Sequence, residues 1–484
     1  MPLVSYAARL AALAEADPDH LAVTDERRSV TRRELEDAAE VTAQQWQAEG
    51  IGPGDLVTIA LPNSVEFIVA AVACWKLGAV PQPVSSRLPK VELDAIIELA
   101  APKLVLADGW QPPTGPPPAR EDRLPDAVSN PWKAMTSGGS TGRPKLILTN
   151  APGLTDPDAN PVFMIQPDGC MVMPGPLYHN APFVWGMAAL LAGNHLVLGG
   201  RFDASTTLRL IEQHKAEVVY LVPTMMLRIW RLPEEERLAR DLSSLKAVWH
   251  LAAPCPPWLK QCWIDWLGPD RIWELYAGTE AQASTIITGR EWLEHKGSVG
   301  RVASGQIRIL DADGNDLPTG EVGEVFMRPP DPSKPTYKYI GATARTLEGD
   351  GEWESLGDMG WMDADGYLYL TDRRTDMVIV GGANVYPAEV EAALEEHDAV
   401  RSCAVVGLPD DDLGSRLHAI VQLSAPDAVS VDDLRAHLAE RLVSYKVPKS
   451  YEFVDEPVRD DAGKVRRTAL RDQRASGATD DERA

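Results

Sequence analysis

The first hundred residues alternate between helical and strand-like patterns of hydrophobic and polar positions. A helical pattern begins after Thr31, an N-cap candidate, and ends at Gly50, and an apolar run over residues 65–80 predicts a second helix. A short apolar run at 55–61 predicts a buried strand, and residues 103–107 are another strand candidate. This alternation predicts a parallel sheet with helices packed on its faces.

The pattern changes twice further along the chain. A proline-rich connector over 111–120 is followed by short strand runs at 146–149, 195–199 and 218–222, with helices expected between them. Around 300–372 the runs are short and punctuated by turns, which predicts an antiparallel, barrel-like unit. The predicted fold class is therefore α/β, with parallel-sheet subdomains and a small β-barrel-like unit in one large N-terminal domain.

The last part of the chain predicts a separate, smaller unit. Helical and strand-like patterns follow residue 382 in an order typical of an α+β domain that can fold alone. We place the N-terminal domain at residues 1–374 and the C-terminal domain at 375–470. The polar segment 471–484 predicts a disordered tail.

Composition and charge narrow the function classes. The 484 residues include 71 Asp and Glu against 47 Lys and Arg, a formal net charge of −24, which argues against nucleic-acid binding and docking on anionic lipid. An anionic small-molecule substrate stays open, since a site needs only a few local donors. Five cysteines without a CxxC pair favour a reducing cytoplasm, and no apolar run is long enough to predict a membrane span. Residues 1–23 predict an amphipathic helix, not a secretory leader.

The first candidate for chemistry is a loop rich in glycine and hydroxyl residues that ends in Arg-Pro-Lys. Glycines let backbone N–H groups approach an anion closely, and hydroxyls and a lysine add donors, so the composition is typical of a polyphosphate cradle. A Walker A loop is excluded because Leu146 follows the lysine. The simpler alternative is a flexible surface loop. The candidate residues are Thr136, Ser137, Gly138, Gly139, Ser140, Thr141, Gly142 and Lys145.

Three further segments indicate chemistry only in combination. In residues 274–280 a tyrosine could stack on a planar base, while Thr-Glu offers a hydroxyl for phosphate and a carboxylate for Mg²⁺, although Thr-Glu also fits a helix start. Asp358, at a turn, could accept both hydroxyls of a ribose, with Arg373 as a further donor. Lys464 follows a glycine and is by itself typical of a solvated surface charge.

In their order and spacing, these four segments resemble the adenylate-forming superfamily of acyl-CoA synthetases, luciferases and nonribosomal peptide adenylation domains. The likeness extends over nearly the whole chain. It includes the stretches LPNSVEFIVAAVACWKLGAVPQPVSSRL, PGPLYHNAPF, GSVGR, GEVGEV, GDMGWMDADGYLYLTDRRTDMVIVGGANVYPAEVE and YKVPKSYEFVDEPVRDDAGKVRR. From the resemblance we expect an AMP-forming acyl-CoA ligase that uses ATP, Mg²⁺ and coenzyme A (CoA).

The resemblance implies that the candidate residues surround one nucleotide. The glycine-rich loop holds the β- and γ-phosphates of ATP, and the remaining segments hold its other parts. The implied roles are Tyr276 at adenine with Ala277 and Gly278 beside the nucleotide, Asp358 and Arg373 at the ribose, Thr279 at the α-phosphate, Glu280 at Mg²⁺, and Lys464 between the substrate carboxylate and the α-phosphate.

The resemblance also implies that the C-terminal domain is mobile. One pose brings Lys464 to the nucleotide, and the other presents the GGANVYP face and opens a channel for the pantetheine arm of CoA. Many relatives have Asp or Lys at the first of the two hinge positions. The channel residues are Gly381, Gly382 and Ala383, and the hinge residues are Thr375 and Asp376.

Several positions depart from the superfamily pattern around the nucleotide. They are Leu146, Ala277, Leu356 and Val458, where relatives commonly have Gly, Gly, Thr and Pro. None of them removes a charged candidate, yet they leave open an enzyme that performs only the thioester step on a preformed acyl-adenylate. An acid:carrier-protein ligase and a non-catalytic nucleotide sensor also stay open.

The substrate acid is narrowed only in class. Residues 177–186 hold no carboxylate that could pair with a substrate ammonium, which disfavours amino acids. His179, in this segment, resembles the gate between acyl pocket and CoA channel, with a core histidine as the alternative. The motifs TSGGSTGRPK and PLYHNAPF are similar to those of ligases for bulky alicyclic acids of bile-acid or steroid type. Tryptophans between 249 and 273 fit a large apolar pocket or, more simply, helix packing. The expected partners are such an acid or its acyl-adenylate, and CoA; a homodimer is left open.

Overall fold

The computed structural model of the protein describes residues 2–138, 144–380, 383–410, 413–460 and 463–481. Its helices include those that the N-terminal pattern predicts. The helices are α1 (Tyr6–Ala16), α2 (Arg32–Ala48), α3 (Val65–Lys76), α4 (Lys90–Ala100), α5 (Asn180–Leu191), α6 (Ala204–His214), α7 (Pro223–Trp230), α8 (Glu234–Leu238), α9 (Pro257–Leu267), α10 (Gly289–Glu294), α11 (Pro387–Glu395), α12 (Val431–Ala439) and α13 (Arg467–Asp481), with 3₁₀ turns at Arg120–Asp122 and Ser444–Lys446.

The strands are short in the N-terminal part and longer towards the C-terminal end. They are β1 (Val4–Ser5), β2 (Leu21–Thr24), β3 (Ser29–Thr31), β4 (Leu56–Ile59), β5 (Val80–Pro83), β6 (Leu104–Leu106), β7 (Ala134–Gly138), β8 (Pro144–Thr149), β9 (Leu154–Thr155), β10 (Cys170–Met173), β11 (His195–Leu198), β12 (Val218–Leu221), β13 (Ala247–His250), β14 (Ile272–Ala277), β15 (Ser284–Thr288), β16 (Gly300–Ser304), β17 (Gln306–Leu310), β18 (Gly323–Arg328), β19 (Tyr337–Ile340), β20 (Arg345–Leu347), β21 (Asp350–Met362), β22 (Tyr367–Arg373), β23 (Val378–Val380), β24 (Ala383–Val385), β25 (Val400–Asp410), β26 (Gly414–Leu423) and β27 (Ser450–Val454).

Local sequence explains how the predicted helices begin and end. The Thr31 hydroxyl accepts a hydrogen bond from the backbone N–H of Glu34, and the Glu34 carboxylate accepts one from the N–H of Thr31. This reciprocal capping box starts α2 at the predicted residue. Every residue of α3 is buried, and Gly78, with φ +67°, turns the chain after the helix.

One long sheet runs through the N-terminal part and positions the candidate residues. Its parallel section has the order β14–β13–β12–β10–β11–β2. Its antiparallel section continues from β14 through β15, β16, β22, β21 and β18 to β17. The predicted parallel strands and antiparallel unit are both confirmed, and the second is continuous with the first. Because the carboxyl ends of the parallel strands meet at one edge, α7 after β12 and residues 278–280 after β14 lie near each other.

Two smaller sheets complete the N-terminal part. The parallel sheet β5–β4–β6 contains the strands predicted at 55–61 and 103–107. In the sheet β19–β8–β7, the strands before and after the glycine-rich loop pair in antiparallel register, with Thr136 opposite Leu146. Tyr339 of β19 lies opposite Ile147 on the other edge of β8. Backbone hydrogen bonds therefore fix the two ends of the loop.

The C-terminal part has its own hydrophobic core, as expected for an α+β unit. Its buried cluster includes Val390 and Leu394 of α11, Val405 of β25, and Leu434 and Leu438 of α12. These helices cover the sheet β25–β26–β27, in which β25 and β26 are antiparallel and β26 and β27 parallel. The apolar faces of this unit are thus satisfied within the unit itself.

The segment after residue 470 corrects one prediction. The sequence predicts disorder over 471–484, whereas α13 extends to Asp481. Leu470 packs beside Val458 in a small apolar cluster, and Arg474 forms a two-pronged ion pair with Glu452 of β27, with N–O distances of 2.5 and 2.9 Å. The polar composition of the tail does not reveal these long-range anchors.

Two further findings concern the cysteines and the helices. All five cysteines are free thiols. Within the described ranges, no helix combines the length and the apolar character needed to cross a bilayer.

Candidate active site

A tyrosine, an aspartate and an arginine from three strands meet at one edge of the long sheet. The Tyr276 hydroxyl, at the end of β14, donates to Asp358 Oδ2 at 2.7 Å. Asp358 of β21 lies directly opposite Arg373 of β22, whose Nε is 3.3 Å from Asp358 Oδ1. Burial and the Asp358 carboxylate raise the pKa of Tyr276 well above its usual value, so its hydroxyl stays a donor. The structure therefore brings the second and third predicted segments together.

A second cluster joins the lysine at the end of the glycine-rich loop to the glutamate that follows β14. Lys145 Nζ lies 3.1 Å from Glu280 Oε1 and 2.9 Å from the Tyr339 hydroxyl, which also donates a short hydrogen bond to Glu280 Oε1. The ammonium also lies over the Tyr339 ring, 4.1 Å from its centroid. Sequence reasoning missed Tyr339, because only the pairing of β19 with β8 brings it to the loop.

Residue 278 must be a glycine because its surroundings are already filled. A Cβ there would lie 2.2 Å from Leu356 Cδ1 and 2.9 Å from Glu280 Oε2, so a side chain would clash with both residues. Thr279, between Gly278 and Glu280, adds a partly exposed hydroxyl. The buried Glu280 carboxylate offers the oxygen ligands that Mg²⁺ prefers together with bound phosphates.

Lys464 reaches these clusters from the C-terminal part. Its turn is closed by hydrogen bonds from Asp460 N to Lys464 O and from Lys464 N to Asp460 Oδ1, each 2.9 Å. Desolvation and the Arg373 guanidinium lower the pKa of Lys464, against the Asp460 and Glu280 carboxylates, which raise it. The ammonium therefore lies in the electrostatic field of the nucleotide candidates, and its side chain, though crowded, remains exposed to solvent.

Two arginines brace the turn that carries Lys464. Arg459 and Arg467 both bind the buried carboxylate of Glu391 in α11, at 2.7 and 2.8 Å. Arg459 also donates to Gly463 O at 3.2 Å, and Arg467 to Asp376 Oδ2 at 2.9 Å. The predicted hinge residue Asp376 is thus tied by one guanidinium to the helix behind the lysine.

Contacts between the two parts of the chain hold the lysine turn in place. Gly463 has φ +76°, and a Cβ there would lie 3.1 Å from Thr224 Oγ1 at the start of α7. Arg231, after α7, donates to the backbone oxygen of Glu395 at 2.8 Å, at the carboxyl end of α11. Arg466 pairs with Glu92 of α4 at 3.0 Å. Sequence reasoning missed these contacts, since each joins residues more than 160 positions apart.

The predicted phosphate loop is only partly described. The Thr136 hydroxyl accepts a hydrogen bond from Gln82 Nε2 at 3.3 Å, and Ser137 and Gly138 form the end of β7. Ala277 ends β14 and is exposed. Gly139, Ser140, Thr141 and Gly142 lie outside the described residues, as do Gly381 and Gly382 of the expected CoA channel.

The remaining predicted residues lie at the ends of elements. His179 is the N-cap position of α5 and its ring packs beside that of Tyr178, with centroids 4.4 Å apart. Ala383 begins β24 in the C-terminal part. The Thr375 hydroxyl donates to Asp376 at 3.4 Å in the connection between β22 and β23. The structure therefore places the expected gate, channel and hinge on separate elements.

A buried lysine next to the loop strand is the largest omission from the sequence-based site. Lys133 is 5% exposed, and its Nζ donates to Asn180 Oδ1 at 2.7 Å. Burial lowers the pKa of Lys133 to about 7, while the Glu280 carboxylate acts to raise it. Its signal in the sequence is a single charge within PWKAMT, immediately before the loop.

The tryptophans fall into two groups, one stacked beside α5 and one packed between helices. Trp185 of α5 stacks on Phe163 with centroids 3.8 Å apart, and Trp249 meets both rings edge-on at 5.9 Å. Trp263 and Trp266 instead pack on the helices around them, with Trp263 Nε1 donating to a backbone oxygen of α7. Helix packing therefore accounts for Trp263 and Trp266, whereas Trp249 packs against Trp185 of α5.

Comparisons with known proteins agree along almost the whole chain. A family model described as AMP-binding enzyme matches residues 10–131 and 121–334, and one described as AMP-binding enzyme C-terminal domain matches 389–464. The chain is 33% identical to a feruloyl-CoA synthase of Amycolatopsis sp over 95% of this chain and 96% of that protein. It is 30% identical to a 2-succinylbenzoate–CoA ligase of Bacillus licheniformis over 94% and 98%.

A solved structure shows the same fold. The o-succinylbenzoate CoA synthetase of Bacillus subtilis, in complex with its acyl-adenylate intermediate, superposes with a TM-score of 0.79 at 26% identity. The match covers 97% of this chain and 98% of that one, so it includes both the large N-terminal part and the small C-terminal part.

Proposed function

Because the chain belongs to the AMP-binding enzyme family and is an AMP-forming acid–thiol ligase, we propose that it joins a carboxylic acid to CoA in two half-reactions. In the first, a carboxylate oxygen attacks the α-phosphorus of ATP, which forms acyl-AMP and releases pyrophosphate. In the second, the thiol sulfur attacks the acyl carbon, a thioester forms and AMP leaves. The observation that carries the proposal is the pair of clusters in which Tyr276 and Arg373 bind Asp358, and Lys145 binds Glu280.

The side chains around Tyr276 suit a nucleoside. Tyr276 lies against adenine, and its hydroxyl holds Asp358 in place. The Asp358 carboxylate accepts hydrogen bonds from the ribose hydroxyls, with Arg373 as a further donor. The strand register that sets Asp358 opposite Arg373 fixes both groups before the ligand arrives, which limits the entropy lost on binding.

The cluster around Glu280 suits the phosphates. Lys145 and the backbone N–H groups of residues 136–142 bind the β- and γ-phosphates, and the Thr279 hydroxyl donates to the α-phosphate. Glu280 holds Mg²⁺, because it is the carboxylate of this cluster and supplies the oxygen ligands that Mg²⁺ prefers. When bound, Mg²⁺ neutralises phosphate charge. Lys145 and Tyr339 orient the Glu280 carboxylate from the other side.

Lys464 supplies the charge that the first half-reaction needs. Two anions must approach each other when a carboxylate attacks ATP, and the ammonium lies between them and stabilises the negative charge of the transition state. No protein nucleophile is required. The lysine is effective only in the pose that three contacts between the two parts maintain, namely Arg231 with α11, Arg466 with Glu92, and Gly463 beside Thr224.

The second half-reaction follows a rotation of the C-terminal domain about Thr375 and Asp376. This rotation breaks the Arg231 and Arg466 contacts, withdraws Lys464 and brings the face that contains Ala383 to the site. His179, at the start of α5, gates the path between the acyl pocket and the CoA channel. Support for the proposal comes from the separate core of the C-terminal part and from the few polar contacts that hold it in this pose.

Replacement of Arg231 with alanine is expected to slow adenylation selectively. The guanidinium caps the carboxyl end of α11, where helix carbonyls carry partial negative charge. The loss of hydrogen bonds worth about 1–2 kcal/mol predicts a roughly 5- to 30-fold decrease in ATP–pyrophosphate exchange. Thioester formation from synthetic acyl-AMP is expected to be unchanged or faster. Arg209→Ala, on the exposed side of α6, is the control, and an equal decrease in both half-reactions contradicts the role of Arg231 in holding the domain.

Replacement of Asp358 with asparagine is expected to weaken ATP binding. The amide can still accept from Tyr276 but loses the charge-assisted bonds to the ribose and to Arg373. Such bonds are worth about 1.5–3 kcal/mol, which predicts a roughly 10- to 100-fold higher KM for ATP. ATP titration of the exchange reaction measures this, with deoxy-ATP lacking the 2′-hydroxyl as a second probe. If the KM for ATP is unchanged, Asp358 does not bind the ribose.

The acid that we propose is bulky and ring-bearing. The first turn of α5 has no acidic residue that could pair with an amino group. One turn and a half further, Trp185 stacks on Phe163 beside Trp249, which provides a flat aromatic wall. The named substrates of the relatives, a ferulate and a succinylbenzoate, are consistent with a ring-bearing acid.

One assay separates the CoA ligase from the competing functions. The protein is incubated with ATP, Mg²⁺, CoA and a panel of aromatic, alicyclic and fatty acids, and AMP and acyl-CoA are measured. Turnover with CoA supports the proposal. Activity only on synthetic acyl-AMP indicates a thioester-only enzyme, and activity only when a phosphopantetheinyl carrier protein replaces CoA indicates a carrier-protein ligase. ATP binding without turnover on any acid indicates a nucleotide sensor.

A further inference from the structure

Lys133 differs from the other deeply buried lysines in its partners. Lys76 lies 2.6 Å from Glu36 and 3.0 Å from a second carboxylate, and Lys260 lies 2.5 Å from Glu274. Within the described ranges, no carboxylate oxygen lies within 4.0 Å of Lys133 Nζ, which is bonded to the neutral amide of Asn180. A buried ammonium without a counter-ion is costly, and lysine is rarely buried unless it is paired.

The ammonium also lies where a helix already carries positive charge. Asn180 is the first residue of α5, and the N-cap residue His179 makes no side-chain capping bond to the helix. Free N–H groups and aligned peptide dipoles make this end of a helix electropositive, and no acidic residue occupies its first turn. Lys133, itself 95% buried, adds an ammonium group at the same point, which is charged below about pH 7. The combination attracts an anion.

The position lies between the two expected halves of the substrate site. On one side is the start of α5, which bears the proposed acyl gate His179 and leads to the aromatic wall at Trp185. On the other side is Glu280, whose carboxylate is close enough to act on the pKa of Lys133. The strand that follows Lys133 runs directly into the phosphate loop.

We propose that Lys133 binds the carboxylate of the incoming acid and holds it at the junction of the acyl and nucleotide sites. One carboxylate oxygen accepts from Lys133 Nζ while the other attacks the α-phosphorus. Lys133 forms no covalent bond and transfers no proton. When acyl-AMP forms, the carboxylate charge is lost, so the lysine favours the free acid over the adenylate. This role rests on the proposed ligase function.

Lys133 and Lys464 then act on the same reaction from different domains. Lys133 belongs to the N-terminal part and stays in place in both domain poses, whereas Lys464 enters and leaves with the C-terminal domain. A carboxylate is favoured over a phosphate as the ligand, because Lys145 already lies 3.1 Å from Glu280 on the phosphate side. The amide of Asn180 orients Lys133 towards the helix that leads into the acyl site.

Kinetic constants of Lys133→Met and Lys133→Arg test the proposal. We expect Lys133→Met to raise the KM for the acid in ATP–pyrophosphate exchange by about 30-fold or more, with the KM for ATP changed less than about threefold. Thioester formation from synthetic acyl-AMP and CoA should be retained. Lys133→Arg should restore much of the acid affinity, and Lys103→Met, on the surface, should have no effect.

Three outcomes would overturn this role. An acid KM unchanged in folded Lys133→Met removes the lysine from the carboxylate site. A raised KM for ATP instead indicates a phosphate ligand, and an equal loss in both half-reactions indicates a structural role. If the wild-type protein itself shows no exchange with any acid, the proposed ligase function is wrong, and the role of Lys133 is wrong with it. Circular dichroism checks folding, and Lys133→Gln is the alternative variant if methionine prevents it.

The pH dependence provides a readout that does not need a folded methionine variant. The groups that act on Lys133 are the Glu280 carboxylate, the Asn180 amide and the Trp132 ring, whose centroid lies 5.1 Å from Nζ. Burial lowers the pKa of Lys133 to about 7, so the ammonium loses its charge as the pH rises through that value. kcat/KM for the acid should therefore fall above about pH 7 in wild type and not in Lys133→Arg. A parallel fall in both contradicts the assignment.

Discussion

Lys464→Ala is expected to slow acyl-AMP formation severely while thioester formation from supplied acyl-AMP stays close to wild type. The lysine is the group in the C-terminal turn that lies in the field of Arg373 and Glu280. Loss of one preorganised donor to a charged transition state costs about 3–4 kcal/mol, or roughly 10²- to 10³-fold in rate. The thioester step should gain nothing from it, because in the mechanism that we propose the domain has then rotated away.

The measurement is a comparison of the rates of the two half-reactions in the same variant. Acyl-AMP formation is followed by ATP–pyrophosphate exchange, and the second step by CoA consumption with synthetic acyl-AMP. Lys449→Ala, an exposed lysine of the same domain, is the matched control. Equal loss in both steps would mean that the change unfolds the Gly463 turn, and normal exchange would remove Lys464 from the chemistry.

Glu280→Gln is expected to have the second largest effect, again on the first half-reaction. The amide keeps the shape and an oxygen acceptor for Lys145 and Tyr339, but loses the charge that Mg²⁺ needs. We expect exchange to fall by roughly 10²-fold or more, equivalent to about 3 kcal/mol, and the Mg²⁺ concentration at half-maximal rate to rise at least about tenfold.

A Mg²⁺ titration of the exchange rate measures both effects. Glu324→Gln is the control, since that glutamate is also buried in an ion pair, with Arg345 at 2.7 and 2.8 Å, but lies outside the cluster. A Mg²⁺ dependence identical to wild type would show that another group holds the metal. Glu280→Gln should also lower the pKa of Lys133 further, because the Glu280 carboxylate is the charge that raises this pKa.

Local patterns in the sequence suffice for much of the fold. The capping box at Thr31, the apolar run of α3 and the glycine at 78 act through neighbours a few residues away, so each can be predicted from the chain itself. The same holds for the strand at 55–61, which is largely buried and appears as an apolar run, and for the strand candidate at 103–107, although Val105 there is exposed. The prediction for the tail 471–484 was wrong as far as Asp481, since its anchors lie elsewhere in the chain.

The residues of the candidate site also divide into those that the sequence indicated and those that it did not. The sequence, through its resemblance to a family, indicated the tyrosine, carboxylates, arginine and lysines that surround a nucleotide. It did not indicate Tyr339, Arg231 or Lys133, whose partners lie 194, 164 and 47 positions away. Nothing in the residues adjacent to these three predicts a partner at such a distance.

What the sequence by itself determined is therefore the set of elements, the two-part organisation and the chemical class of the ligands. What only the tertiary structure decided is which charges face one another: Asp358 with Arg373, Lys145 with Tyr339, and Lys133 without a carboxylate. The physical reason is the separation along the chain of the residues that interact. Periodicity, capping and turn conformation depend on neighbouring residues, whereas sheet register and the packing of one part on another set the distances between charges far apart in the chain.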